Sequence, residues 1–309
     1  MAAMQAPEPI TIARTRHGPL ERIVLTAPGP RHPAAVSVYR LGDLLVDAGG
    51  TRFAAALVDA LRTAPPRRVV CTHQHEDHVG GVGALRRAFG AIPVHVPRAH
   101  LELLRTADGL PRYRAVAWGR PGPITDALPY DPGDRFEVGV TALEARSTPG
   151  HTPGHMALVA RDARETFAIT GDLYTSRSAD GWYESAADDQ IRSCRALAAL
   201  DALRMLPAHG RVRDDGAAAL ATLADWVERQ AEAILATSAR LGTRDCAAVA
   251  GALYGPEGDA ATRTGGQVSR ASFVRSVLDP VRRLPASAVR HECRGEAPRA
   301  PPRATRQPE

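Results

Sequence analysis

Lysine is absent from this 309-residue chain, so all 39 basic residues are arginines. With its abundant Ala, Gly and Pro this indicates a high-GC coding habit, and the arginine surplus loses its value as a functional signal. Cysteine is scarce. Cys71, Cys194, Cys246 and Cys293 lie far apart without a CxxC pair, which argues against a disulfide framework or a thiolate zinc site and favours a reducing compartment. Apolar runs are short: nowhere do about eighteen apolar residues follow one another, and residues 1–16 hold no apolar segment of secretory length, so a cytoplasmic protein without a membrane partner is expected. Charge of one sign is nowhere concentrated. The net charge of +5 is spread along the chain, so no basic patch invites nucleic acid. Internal repeats are also missing, and the length suits one large domain or two modest ones with a sizeable core.

What is present is concentrated in Thr72-His73-Gln74-His75-Glu76-Asp77-His78-Val79-Gly80-Gly81, directly after the apolar run Arg68-Val69-Val70-Cys71. Three histidines and an aspartate within six positions are hard to explain as packing. A strand over 68–72 that stays extended for a few residues more would project His73 and His75 to one side, where both can grip one ion. Asp77 and His78 follow at the opening of a helix expected over 79–89, whose free N–H groups can hold an aspartate in place.

The order His-x-His-x-Asp-His followed by Val-Gly-Gly resembles the signature of the metallo-β-lactamase superfamily. In that superfamily the remaining ligands come from three separate loops, and each has a candidate here: His151 in Thr148-Pro149-Gly150-His151-Thr152-Pro153-Gly154-His155, Asp172 in Ile169-Thr170-Gly171-Asp172-Leu173, and His209 in Leu206-Pro207-Ala208-His209-Gly210. The resemblance implies an α/β fold of four layers, the αββα sandwich, with ligands along one edge of two facing sheets. It also implies that His73, His75 and His151 hold a first metal, Asp77, His78 and His209 a second, and that Asp172 bridges them, with Asp77 and Asp172 as the catalytic carboxylates. Such donors suit zinc, iron or manganese, and two Zn2+ ions are expected. A water shared by two dications has a pKa lowered toward roughly 7 and yields a hydroxide nucleophile. By the same resemblance Asp47, at the end of Leu44-Leu45-Val46-Asp47-Ala48-Gly49, is a buried support of the metal loop, a plain strand-end cap being the alternative. His155 resembles a supporting histidine of glyoxalase II-like members.

Within the superfamily, the twenty-one positions from His151 to Asp172 are fewer than RNA-processing members show, and no ligand is replaced by cysteine as in class B β-lactamases. The glyoxalase II-like group remains. After Gly171-Asp172-Leu173-Tyr174-Thr175 the chain lacks the Gly-Cys-Gly-Arg/Lys stretch that contacts glutathione in glyoxalase II itself, so a glutathione thioester is not the expected substrate. The expected activity is dinuclear zinc hydrolysis of a small-molecule ester, lactone or thioester, the alternative being a mononuclear iron persulfide dioxygenase-like oxidoreductase; a homo-oligomer stays open. Tyr174 and Tyr183 are the nearest phenols for protonating a leaving group, and Trp182-Tyr183 could instead form an apolar wall. Cys71 reads as a buried strand residue rather than a nucleophile.

Alternation predicts strands near 10–13, 20–25, 36–41 and 44–50, with Gly42-Asp43 as a hairpin turn. Helical spacing over 52–64 stops at Pro65-Pro66, a strand is expected at 92–96, and 97–104 reads as a short helix. The Gly- and Pro-rich stretch 106–132, with Tyr113, Trp118 and Tyr130, reads as a long irregular loop that either contacts substrate or packs on the body. Strands follow at 135–138, 141–145, 156–160, 166–170 and 204–207, with a helix over 191–203 before the last. Three helices then run over 217–241, 244–253 and 269–281. The expected division is a catalytic domain over 1–215, a helical C-terminal extension over 216–284 and a disordered tail over 285–309.

Overall fold

In the computed structural model, which describes residues 9–29, 33–106, 110–174, 177–181 and 184–281, twelve strands form two sheets. The first sheet contains β1 (Thr11–His17), β2 (Leu20–Ala27), β3 (Ala34–Leu41), β4 (Leu44–Val46), β5 (Arg68–Val70), β6 (Val94–Pro97) and β7 (Leu128–Tyr130), arranged in chain order. Its first four strands pair antiparallel and the rest parallel. β8 (Arg135–Val138), β9 (Thr141–Ser147), β10 (Met156–Arg161), β11 (Thr166–Gly171) and β12 (Leu203–Pro207) form the second sheet in the order β12-β11-β10-β9-β8, where only β11 and β12 run parallel. The helices are α1 (Ala54–Leu61), α2 (Glu76–Val79), α3 (Val82–Phe89), α4 (Arg112–Trp118), α5 (Ala187–Ala198), α6 (Gly216–Leu241), α7 (Cys246–Tyr254), α8 (Asp259–Arg263) and α9 (Arg270–Leu278).

The period of two along each strand makes the layers. On β3, Val36 and Val38 join Phe53, Leu57, Val82 and Leu85 under α1 and α3, while Tyr39 and Leu41 face the other way. On β10, Met156, Leu158 and Ala160 meet those residues between the sheets, while Ala157 and Val159 turn outward to α5 and α6. A strand buried on both faces is largely apolar, which is why β4 and the stretches Met156 to Ala160 of β10 and Phe167 to Ile169 of β11 read as hydrophobic runs. The result is the four-layer αββα arrangement. Leu220, Leu223 and Val227 of α6, Val249 of α7, and Phe273 and Val274 of α9 share one outer core with Cys194, Leu197, Leu203 and Met205. Among the described residues no helix is long and apolar enough to cross a membrane.

Several sequence expectations change. The stretch 106–132 is not irregular throughout: it holds α4 and, through parallel pairing with β6, the edge strand β7. Tyr130 is thereby buried between the sheets and donates a hydrogen bond to the Cys71 carbonyl at 2.8 Å, so this ring packs the body instead of meeting substrate. The short helix over 97–104 is two 3-10 turns, Arg98–His100 and Glu102–Leu104. α5 starts and ends several residues before the expected 191–203, and α8 is an element the periodicity did not reveal. Residues 1–8 and 30–32, Trp182-Tyr183 and the tail expected from 285 lie outside the described residues.

Candidate metal centre

All the candidate ligands lie just beyond the ends of strands, at one edge of the two sheets. β5 ends at Val70, and residues 71–75 bend instead of continuing the strand. His73 and His75 therefore converge through a turn and not through strand alternation. Helix α2 begins at Glu76, so Asp77 occupies its first turn, three residues earlier than the expected helix start. The two glycines after His78 let this loop pack tightly: a Cβ on Gly81 would come within 2.1 Å of the Ala48 carbonyl oxygen. His151 follows β9, Asp172 directly follows β11, and His209 follows β12. Backbone bonds register these ends, Ser37 N–H to Ala208 O at 2.8 Å and Ala208 N–H to Gly171 O at 3.0 Å.

The seven side chains form two groups that share Asp172. His73, His75, His151 and Asp172 make one, Asp77, His78, Asp172 and His209 the other, and within each group the candidate ligand atoms lie within 4.8 Å of one another. In the first, His75 Nδ1 is 3.1 Å from His73 Nε2 and 2.9 Å from His151 Nε2. Asp172 Oδ2 is 3.4 Å from His151 Nε2 and 3.9 Å from His73 Nε2. In the second, His209 Nε2 is 2.9 Å from Asp77 Oδ2 and 3.5 Å from Asp172 Oδ1, and His78 Nε2 is 3.3 Å from Asp172 Oδ1 and 3.7 Å from Asp77 Oδ2. Four donors around a tetrahedral ion at ~2.0–2.1 Å sit roughly 3.3 Å apart, and both groups scatter about that value. Asp172 presents a different oxygen to each group. Buried His78 Nε2 and Asp172 Oδ1 make no hydrogen bond among the described residues, a cost that a cation at the second group would remove.

The family model described as "Metallo-beta-lactamase superfamily" matches residues 33–209. This chain belongs to the metallo-beta-lactamase superfamily. Among curated relatives, it is 31% identical over 150 residues to the hydroxyacylglutathione hydrolase of Acidiphilium cryptum, an alignment covering 48% of this chain and 52% of that protein. It is 28% identical over 207 residues to the beta-lactamase-like protein 2 homolog of Caenorhabditis elegans, covering 62% of each. The chain thus spans less than two thirds of the length of these relatives. A crystal structure of a beta-lactamase domain protein from Burkholderia ambifaria superposes with a TM-score of 0.62 at 15% identity, covering 89% of this chain and 90% of that one. The shared fold therefore extends into the C-terminal helices.

On this superfamily scaffold the candidate ligands are held by their far sides. The His78 Nδ1–H donates to Asp47 Oδ2 at 2.8 Å, which turns Nε2 toward Asp77 and Asp172. Asp47, buried and with φ of 61°, also accepts the Thr72 N–H at 2.7 Å, so it does more than cap a strand. His209 Nδ1 donates to the Ala35 carbonyl at 2.8 Å. His155 belongs to neither group: Nδ1 lies 2.9 Å from Thr148 Oγ1, and Nε2 accepts the Asp172 N–H at 3.2 Å. Burial pushes His73 and His155 well below the usual histidine range and His151 down to about 4. Burial also opposes charge on His78 and His209, but Asp172, with Asp47 beside His78 and Asp77 beside both, outweighs it and raises them. The same pairing holds Asp77 and Asp172 below the carboxylate range against their own burial. His73 and His151 thus offer neutral imidazoles, Asp77 and Asp172 offer ionised carboxylates, and a cation at the second group would take the place of the protons that these carboxylates favour on His78 and His209.

Some residues at this site carry no motif. Glu184 Oε2 accepts from His75 Nε2 at 3.0 Å and is held down to about 2 by His75 and Arg114, against the upward pull of burial. Arg114 of α4 pairs with Glu76 through Nε at 2.6 Å and through Nη2. The Trp118 ring lies 5.5 Å from that of His209. Sequence separations of this size leave no local signal. Tyr174 takes no place at the centre: its ring packs on the outer core, 6.0 Å from the Arg213 guanidinium.

His100, fully buried, donates Nε2–H to the Pro153 carbonyl at 2.8 Å and so steadies the loop carrying His151. Burial lowers its pKa from 6.5 to about 4. A depressed folded-state value means that the unfolded chain takes up the proton first as pH falls. The stabilisation is therefore complete above pH 6.5 and is lost progressively toward pH 4, by up to about 3 kcal/mol. The metal-free protein should melt at falling temperature across that window, where the depressed His73, His151 and His155 act in the same direction, and His100→Asn should make the profile less steep; an unchanged slope would assign the whole loss to those other groups.

Proposed function

We propose that this chain is a metal-dependent hydrolase that holds two zinc ions and cleaves an ester, lactone or thioester of a small molecule. The observation that carries the reading is the second group: His78 and His209 lie at Asp172 oxygen Oδ1 and Asp77 stands against His209, while oxygen Oδ2 faces His73 and His151. A centre built for one ion would not need it. His73, His75 and His151 would hold the first ion, Asp77, His78 and His209 the second, and Asp172 would contribute to both. When bound, a zinc pair supplies a water nucleophile at neutral pH and neutralises charge developing on a carbonyl oxygen. The residues of the chain keep this geometry ready: Asp47 and the Ala35 carbonyl fix the rings of His78 and His209, and His155 fixes the backbone of Asp172. No side-chain nucleophile is required. Cys71 is fully buried, and burial raises its thiol well above the usual range, which supports a packing role. The free thiols Cys71, Cys194 and Cys246 support a cytoplasmic setting.

The relatives named hydroxyacylglutathione hydrolase favour the thioester branch, while the missing Gly-Cys-Gly stretch weighs against glutathione as the carrier. The deciding measurement is metal quantification on native protein, paired with a panel of p-nitrophenyl esters, lactones and acyl thioesters with and without glutathione. About two zinc per chain and turnover of one class are expected. One iron per chain with oxygen uptake on a persulfide would establish a dioxygenase in place of this reading.

A further inference from the structure

We infer that Glu184 is a positioning residue for the first metal group, holding the His75 ring with Nδ1 toward the ion. The inference rests on the metal reading proposed above and concerns a residue outside all four ligand motifs. An imidazole can present either nitrogen, and the one facing a cation must be free of its proton. A carboxylate only accepts, so the 3.0 Å contact with Glu184 Oε2 places the ring proton on His75 Nε2. That leaves the Nδ1 lone pair where His73 Nε2 and His151 Nε2 converge, at 3.1 and 2.9 Å. With the opposite tautomer a proton would occupy the point where the donors meet.

Glu184 is itself anchored. Its backbone N–H donates to the His151 carbonyl at 3.3 Å, so one residue touches two members of the group. Its Oε1 lies 3.8 Å from Arg114 Nη1, and the same guanidinium pairs with Glu76, which stands between His75 and Asp77. Arg114 and Glu76 are both largely buried, at 11% and 3% side-chain exposure, so this pairing is shielded from the screening that weakens surface ion pairs. α4 and the loop after Asp172 thereby grip the segment 75–77 from outside the ligand motifs. Carboxylates that orient a ligating histidine commonly contribute about 10–100-fold to metal affinity.

The test is zinc titration of the metal-free 309-residue chain against a chromophoric chelator, for wild type, Glu184→Ala and Glu184→Gln. Wild type should take up two zinc. Glu184→Ala should lose about 10–100-fold in affinity at one site and little at the other. Glu184→Gln, whose amide oxygen can accept the same N–H, should recover most of the loss. Cobalt(II) spectra of the singly loaded protein should change in Glu184→Ala and return in Glu184→Gln. Unchanged affinity at both sites in Glu184→Ala would overturn the inference. Equal weakening in both variants, matched by equal falls in the melting temperature of the metal-free protein, would also overturn it by showing that Glu184 only secures the loop. Wild type that binds no zinc would instead overturn the metal reading itself.

Discussion

Replacing Asp172 by alanine is expected to empty both metal groups at once and to reduce turnover of any responsive ester, lactone or thioester by at least ~10³-fold, about 4 kcal/mol of transition-state stabilisation. A substitution at any of the other six candidate ligands should not match it, because among the described residues only Asp172 belongs to both groups. His73→Ala removes a donor from the first group only, and His209→Ala from the second only. Metal analysis after dialysis, followed by the assay panel, separates these cases. Asp172→Asn refines the test: its amide has one oxygen, so at most one group keeps its fourth donor. The bridging assignment fails if Asp172→Ala retains full metal content and full turnover.

The second large effect is expected on truncation after residue 215. We propose that the helices beyond this point belong to the same folding unit as the centre, not to a separable module. Cys194, Leu197, Leu203 and Met205 share one core with side chains of α6 and α9, on which α7 packs in turn. Exposing the two leucines and the methionine alone would cost roughly 5–9 kcal/mol, the size of a whole domain's stability. The truncated chain should accumulate in the insoluble fraction, or bind hydrophobic dyes and lose cooperative melting if it stays in solution. A soluble 1–215 fragment that melts cooperatively close to the temperature of the full chain would show that the helices are an accessory.

The two deeper layers were legible in the chain because alternation and helical spacing are local signals. Arg68-Val69-Val70, Met156 to Ala160 and Thr166 to Thr170 read as strands from their apolar content alone, and they are strands. α4 and β7 were not legible. Pro111 and Gly119 bound the one, β7 is only three residues long, and pairing with β6 rather than propensity gives that strand its conformation. The departure from an extended chain after Val70 belongs to the same class, since there the Thr72 N–H turns to Asp47, twenty-five residues earlier, and not to a neighbouring strand.

The residue types at the centre were written into the chain, because the candidate donors here are His and Asp side chains, and each follows a strand end at one edge of the sheets. Their identity and spacing need no partner to be recognised. What had to wait for folding was which atom of each donor faces inward. That choice depends on groups far away in sequence: Asp47 behind His78, Ala35 behind His209, Glu184 behind His75. A hydrogen bond between residues 31, 174 or 109 positions apart leaves no trace in local pattern, yet it decides where the lone pair points and hence whether a cation can bind.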